Sequence, residues 1–130
     1  MEIKDKEGNL LASYIKSEKN IISKNFHTSN DQELQVASFN LKKGEEIIRH
    51  YHPANLRKIK TTSEVIVLKK GTLNIDIYDK NQNYVDSFEL KDGDIGILIS
   101  GGHGLHASND CVFIEVKQGP YDEATDKIRF

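Results

Sequence analysis

Residues 62–99 read TSEVIVLKKGTLNIDIYDKNQNYVDSFELKDGDIGILI, and their reading decides the fold class. VIVL (65–68) is a short apolar run that ends at Lys69-Lys70-Gly71. TLNIDIY (72–78) alternates, with Leu73, Ile75 and Ile77 on one side and Asn74, Asp76 and Tyr78 on the other, the two-residue period of a half-buried strand. DKNQN (79–83) and KDGD (91–94) are turn sequences that bracket YVDSFEL and lead into IGILI. Working outward, CVFIEVK (111–117) is a further strand, and LQVASFNL (34–41), KKGEE and IIRHYH (47–52) read as another hairpin. Turn signals return about every 8–14 residues, which predicts an all-β sandwich or barrel of antiparallel strands. Residues 8–20 suit a strand or a short helix equally, and the tail from Gln118 is expected to be irregular, with one helical turn after Asp122.

The chain has 130 residues, 37% hydrophobic and 29% charged, which fits one globular domain with its own core. The net charge is −2 and Lys and Arg are scattered, so no basic stripe points to nucleic acid. Cys111 is the single cysteine, which excludes an intramolecular disulfide and a thiolate metal site within one chain. No apolar run approaches the ~18 residues of a spanning helix. MEIKDKEGNLLASYIK has no apolar core of a signal peptide, so a cytoplasmic place without membrane contact is expected.

Two of the five histidines stand one residue apart in Arg49-His50-Tyr51-His52-Pro53. On a strand, His50 and His52 point the same way, and two converging imidazoles suit a bound metal or an acid–base pair. The plain alternative is a polar surface strand. Gly44 lies six residues before His50, Glu64 seven before Gly71, and His103 ten after Gly93.

Gly-x5-His-x-His with Glu-x6-Gly, followed by GDIGILISGGHGLH (93–106), resembles the two signatures of the cupins, small jelly-roll β-barrels. The resemblance implies a single cupin domain over 1–130, with the double-stranded β-helix at about 34–117, an N-terminal extension 1–33 and a C-terminal tail 118–130. It also implies a metal set of His50, His52, Glu64 and His103. That donor set suits Fe, Mn, Ni, Co or Zn alike. Two departures stand out. Eleven residues, PANLRKIKTTS, separate His52 from Glu64, where cupins have a few, so Glu64 is a ligand or an acceptor that closes this loop. The usual position of the last histidine is Gly104, so His103 misses it by one residue and His106 by two. Residues three apart on a strand face opposite sides, and Gly101-Gly102 lets the backbone aim His103.

EVIVLKKG, GGHG, EVKQGPY and the closing DKIRF are similar to a group of small bacterial single-domain cupins that accompany surface-polysaccharide and sugar-nucleotide metabolism. That likeness favours His103 over His106. Arg57 matches a shared arginine and is a candidate for an anionic substrate group, against a surface ion pair. Lys117, Gln118 and Tyr121 are read as packing or dimer contacts before cavity lining.

The resemblance implies a metal-dependent enzyme on a small polar or sugar-derived substrate, with His50, His52 and His103 as catalytic groups. Isomerisation, epimerisation and Fe(II) oxygenation all fit. A metal-free sugar-nucleotide ketoisomerase using the HxH pair as acid and base is the alternative, although HYHP lacks the lysine of the HAHK stretch in such enzymes. A non-catalytic binding module is the third possibility. A homodimer is expected.

Overall fold

The computed structural model describes residues 1–17 and 24–130. Two compact units divide the chain: Met1–Glu18 with Thr61–Phe130, and Lys19–Lys60. Both are built from antiparallel strands, and no helix occurs among the described residues. None is therefore long and apolar enough to cross a membrane.

The first unit holds β1 (Glu2–Lys4), β2 (Leu10–Ile15), β5 (Glu64–Lys70), β6 (Leu73–Tyr78), β7 (Tyr84–Leu90), β8 (Ile95–Leu98), β9 (Gly102–Ala107) and β10 (Val112–Lys117). They form a five-stranded sheet in the order β1-β2-β8-β5-β10 and a three-stranded sheet in the order β7-β6-β9. The stretch 8–20 resolves into a strand as far as Ile15, and residues 18–20 lie outside the described residues. β2 pairs with β8 through Ala12↔Leu98 and Ile15↔Ile95, so this N-terminal strand belongs to the main sheet.

The alternation predicted for 72–78 is the alternation observed. Leu73, Ile75 and Ile77 are buried, and Asn74, Asp76 and Tyr78 are half-buried on the other face. They join Phe88 and Leu90 from the same sheet and Leu11, Ile66, Leu68 and Leu98 from the other in one core. Two sheets therefore pack face to face, and each fully buried Leu or Ile contributes about 1.5–3 kcal/mol of transfer free energy.

The turn before β8 is held by a buried charge. Asp94 is 2% exposed and accepts from Lys16 Nζ at 2.9 Å and from the N–H groups of Ser17 and Lys91 at 2.7 and 3.0 Å. Burial alone would push its carboxyl up. The Lys16 hydrogen bond and the two backbone N–H groups outweigh that and hold it below the usual carboxylate range.

The second unit departs from the sequence expectation. Its strands are β3 (Asn25–Phe26) and β4 (Ala37–Ser38), paired with each other. The turn expected at KKGEE does form: Glu45 N–H donates to Lys42 O at 3.0 Å, and Lys42 N–H to the Glu45 carboxylate at 2.8 Å. The arms around it do not pair, and 47–52 is not a strand. Upstream residues take the backbone of 37–38 instead. Ile48 and Tyr51 are 77% and 84% exposed, so no buried face fixes a register for the second arm.

Candidate functional site

Glu64 opens β5 and shares the face of Ile66 and Leu68, both fully buried. Its place is fixed from both flanks. Buried Ser63 donates its backbone N–H to Gln118 Oε1 at 2.9 Å and its hydroxyl to Ile99 O at 3.1 Å. Glu64 lies opposite Leu98 of β8 and Lys117 of β10.

His103 comes from the other sheet. β9 pairs with β6 so that His103 stands opposite buried Ile77, while His106 stands opposite Asn74 on the outer face. Directly opposed residues point to the same side of a sheet, so His103 faces inward and His106 outward. His106 is 62% exposed at the side chain, with Nδ1 4.0 Å from Asp76. The strand before His103 turns on Gly101, whose φ of +75° and approach to Tyr78 O exclude a side chain: a Cβ there would lie 2.3 Å from that oxygen.

Across the gap between the sheets, His103 Nε2 lies 3.1 Å from Glu64 Oε2, with the two side chains 30% and 13% exposed. The hydrogen bond from His103 holds the Glu64 carboxyl below its ordinary value against the upward push of burial, and the charges of His103, Lys117 and Lys127 add to the lowering. An ionised carboxylate only accepts, so Nε2 carries the hydrogen, and in the neutral ring the lone pair lies on Nδ1.

The pair lines a half-open cavity of about 650 Å³. Its walls are Thr61 and Thr62, Tyr78, the 100–104 turn and the C-terminal segment 126–130. That segment starts from a turn in which Asp126 N–H donates to Asp122 O at 2.8 Å, in line with the single helical turn expected after Asp122. Lys117 Nζ, 15% exposed at its side chain, bonds the Asp126 carboxylate and lies 4.8 Å from the Tyr121 ring centre. Asp126 keeps that ammonium charged to higher pH than usual. Lys117, Gln118 and Tyr121 thus act in packing within this unit.

The remaining sequence candidates lie in the unit Lys19–Lys60. The His50 and His52 rings meet edge to face, 5.2 Å apart. No strand puts them there; the i, i+2 spacing alone keeps them adjacent. His50 Nδ1 lies 2.9 Å from Ile48 O, and because a carbonyl only accepts, Nδ1 is the donor and Nε2 is left open. Arg57 lines a half-open hollow of about 590 Å³ with Leu34, Gln35 and Lys58.

The donor types fit a divalent transition metal. Glu64 and His103 are two such donors side by side, and a ligating histidine commonly donates its other ring N–H to a carbonyl, as His50 does. Among the described residues, neither unit by itself brings together three or more His, Cys, Asp or Glu groups able to hold a metal ion.

Lys127, Arg129 and Phe130 were absent from the candidates chosen by sequence. The closing DKIRF was legible as a shared ending, but its part in a cavity wall depends on a chain reversal after residue 117 that no local pattern announces. No family model matches the chain, and neither a curated protein nor a solved structure matches it.

Proposed function

We propose that this chain is a cupin-type double-stranded β-helix that moves a proton on a small polar, sugar-derived substrate. The observation that carries this reading is the Glu64–His103 pair, one member from each sheet, in contact at the wall of one cavity. Carboxylate-backed imidazole is the arrangement of a general base: Glu64 orients the ring and stabilises the imidazolium, and Nδ1 takes the proton. On a carbon next to a carbonyl, His103 removes a proton and the electron pair moves into the enediolate. The same imidazolium then returns the proton to the neighbouring carbon on the same face, while a hydroxyl proton passes between the two oxygens of the enediol. Isomerisation follows from that single group, and epimerisation takes its second proton from a donor on the opposite face.

The test is solvent exchange. Keto sugars and sugar nucleotides are incubated with the protein in D2O, and deuterium incorporation at carbon is followed by NMR. Incorporation that disappears in Glu64→Gln and His103→Gln supports the reading. Incorporation that persists in both variants rejects it. Ligand-induced thermal stabilisation without any exchange would instead mark a binding module.

A metal-dependent form of the same chemistry is favoured by the donor types and by the open Nε2 of His50. In that form, as the cupin resemblance implies, His50, His52, Glu64 and His103 would hold the ion, which would polarise the substrate carbonyl, with His103 then a ligand in place of the base. Elemental analysis of protein purified without added metal tests it. A bound metal lost in both His50→Ala and His103→Ala supports this form. No metal in the wild type leaves the acid–base pair to act alone.

A homodimer is part of the proposal. β10 is an edge strand whose Val112, Ile114 and Val116 are 61%, 52% and 55% exposed, an unguarded apolar edge of the kind a second copy covers. Sedimentation of Ile114→Lys beside wild type checks it.

A further inference from the structure

We propose that Lys127 and Arg129, on the strap formed by residues 126–130, are an anion clamp, and that the ligand of this cavity carries a phosphate group. The inference takes the cavity of the preceding section as its site.

Charge accounting around the cavity points this way. Asp126 on its wall is paired with Lys117, and Glu64 accepts a hydrogen bond from His103 and lies in the field of Lys127. Lys127 and Arg129 line the same cavity, and among the described residues neither forms an ion pair with a carboxylate. Two exposed cations on one wall of the cavity recruit an anion, and Arg presents a fork that matches phosphate oxygens while Lys adds a point charge.

The strap is anchored at both ends. Asp126 is tied to Lys117 at one end. At the other, the Phe130 ring meets Tyr78 edge to face, 5.3 Å between centroids, and lies flush against the backbone of Gly102. A Cβ on Gly102 would come within 2.8 Å of Phe130 Cζ, so this glycine is what lets the strap settle beside His103. The two cations between these anchors, Lys127 also 5.7 Å from the Tyr121 ring centre, are thereby presented at a fixed place, which lowers the ordering cost of binding. A volume of about 650 Å³ leaves room for more than the phosphate itself, in the range that holds drug-sized ligands.

The experiment titrates inorganic pyrophosphate into 15N-labelled protein and follows amide shifts. Wild type should show saturable shifts confined to 100–104 and 126–130. Lys127→Gln/Arg129→Gln should weaken binding about tenfold or more, as expected for loss of two charge-assisted contacts. Both side chains are exposed, so the variant should keep its fold, which circular dichroism verifies. Gly102→Val should weaken binding as well, with both charges still present. Glu64→Gln should still bind pyrophosphate, which separates the clamp from the proton-transfer reading. No saturable binding, shifts confined to other regions, or equal affinity in the double variant overturns the clamp, whatever the exchange assay shows.

Discussion

Residues 61–130 and residues 24–60 look alike on paper and fold differently. Both contain apolar alternation around a glycine turn: TLNIDIY with VIVLKKG in one, LQVASFNL with KKGEE and IIRHYH in the other. In the first, the strands of VIVLKKG and TLNIDIY meet a second layer, and the core residues Ile66, Leu68, Leu73, Ile75 and Ile77 are at most 1% exposed. In the second, strands are two residues long, and Ile48, Tyr51 and Leu56 are 77%, 84% and 91% exposed. Alternation is thus a licence to form a strand. The ladder forms where a facing sheet gives the apolar side something to bury against.

The largest effect should fall on chemistry in the first region. Glu64→Gln or His103→Gln should slow carbon-bound deuterium exchange at least ~100-fold, the scale of a lost general base. His50→Ala then asks whether the second region contributes: an equal loss means both halves of the histidine set serve one reaction.

Stability should divide along the same line. Ile75→Ala should cost about 3–4 kcal/mol, and Leu56→Ala less than about 0.5, both read from urea midpoints at constant m-value. A cost above about 2 kcal/mol at Leu56 would break the contrast and mean that this side chain is covered in solution. Asp94→Ala should cost about 2–3 kcal/mol, because the N–H groups of Ser17 and Lys91 lose their buried acceptor.

The smallest effect concerns pH. Glu64 has a folded pKa below its unfolded value, so the stabilisation it brings is fully present above about pH 4.3 and is lost as pH falls through the lower folded value. Wild type should therefore lose more stability than Glu64→Gln between about pH 5 and about pH 3, as monitored by thermal melts. Equal losses would mean that the contact with His103 does not hold the carboxylate.

Much of the first region was legible because its turns and its period agree. Asp79–Asn83 and Lys91–Asp94 fall between strands where the sequence puts them, while at Lys69-Lys70-Gly71 the strand runs on through Lys70 and the turn tightens to Gly71-Thr72. That at most one of His103 and His106 faces inward was legible from their spacing, since residues three apart cannot share a face; Gly101-Gly102 and the GGHG likeness are what point to His103. The inward direction of Glu64 follows from its phase with Ile66 and Leu68. Three things were not legible. That β2 belongs to the main sheet depends on pairing with β8, eighty or more residues away. The strap depends on Phe130 reaching Gly102, a contact of two residues with no shared pattern. The failed arm at 47–52 depends on competition for the backbone of Ala37–Ser38, which Asn25–Phe26 wins.

The register of β9 against β6 has one more consequence. Odd-numbered positions of GHGLHA enter the interior and even-numbered ones leave it. Deleting one residue between Ile99 and Gly102 would reverse that parity, retiring His103 to solvent and delivering His106 to the interior in its stead. The strand would keep a histidine facing in, displaced along its length by two residues' rise, about 7 Å. A frame error of a single amino acid would relocate the reactive ring instead of erasing it.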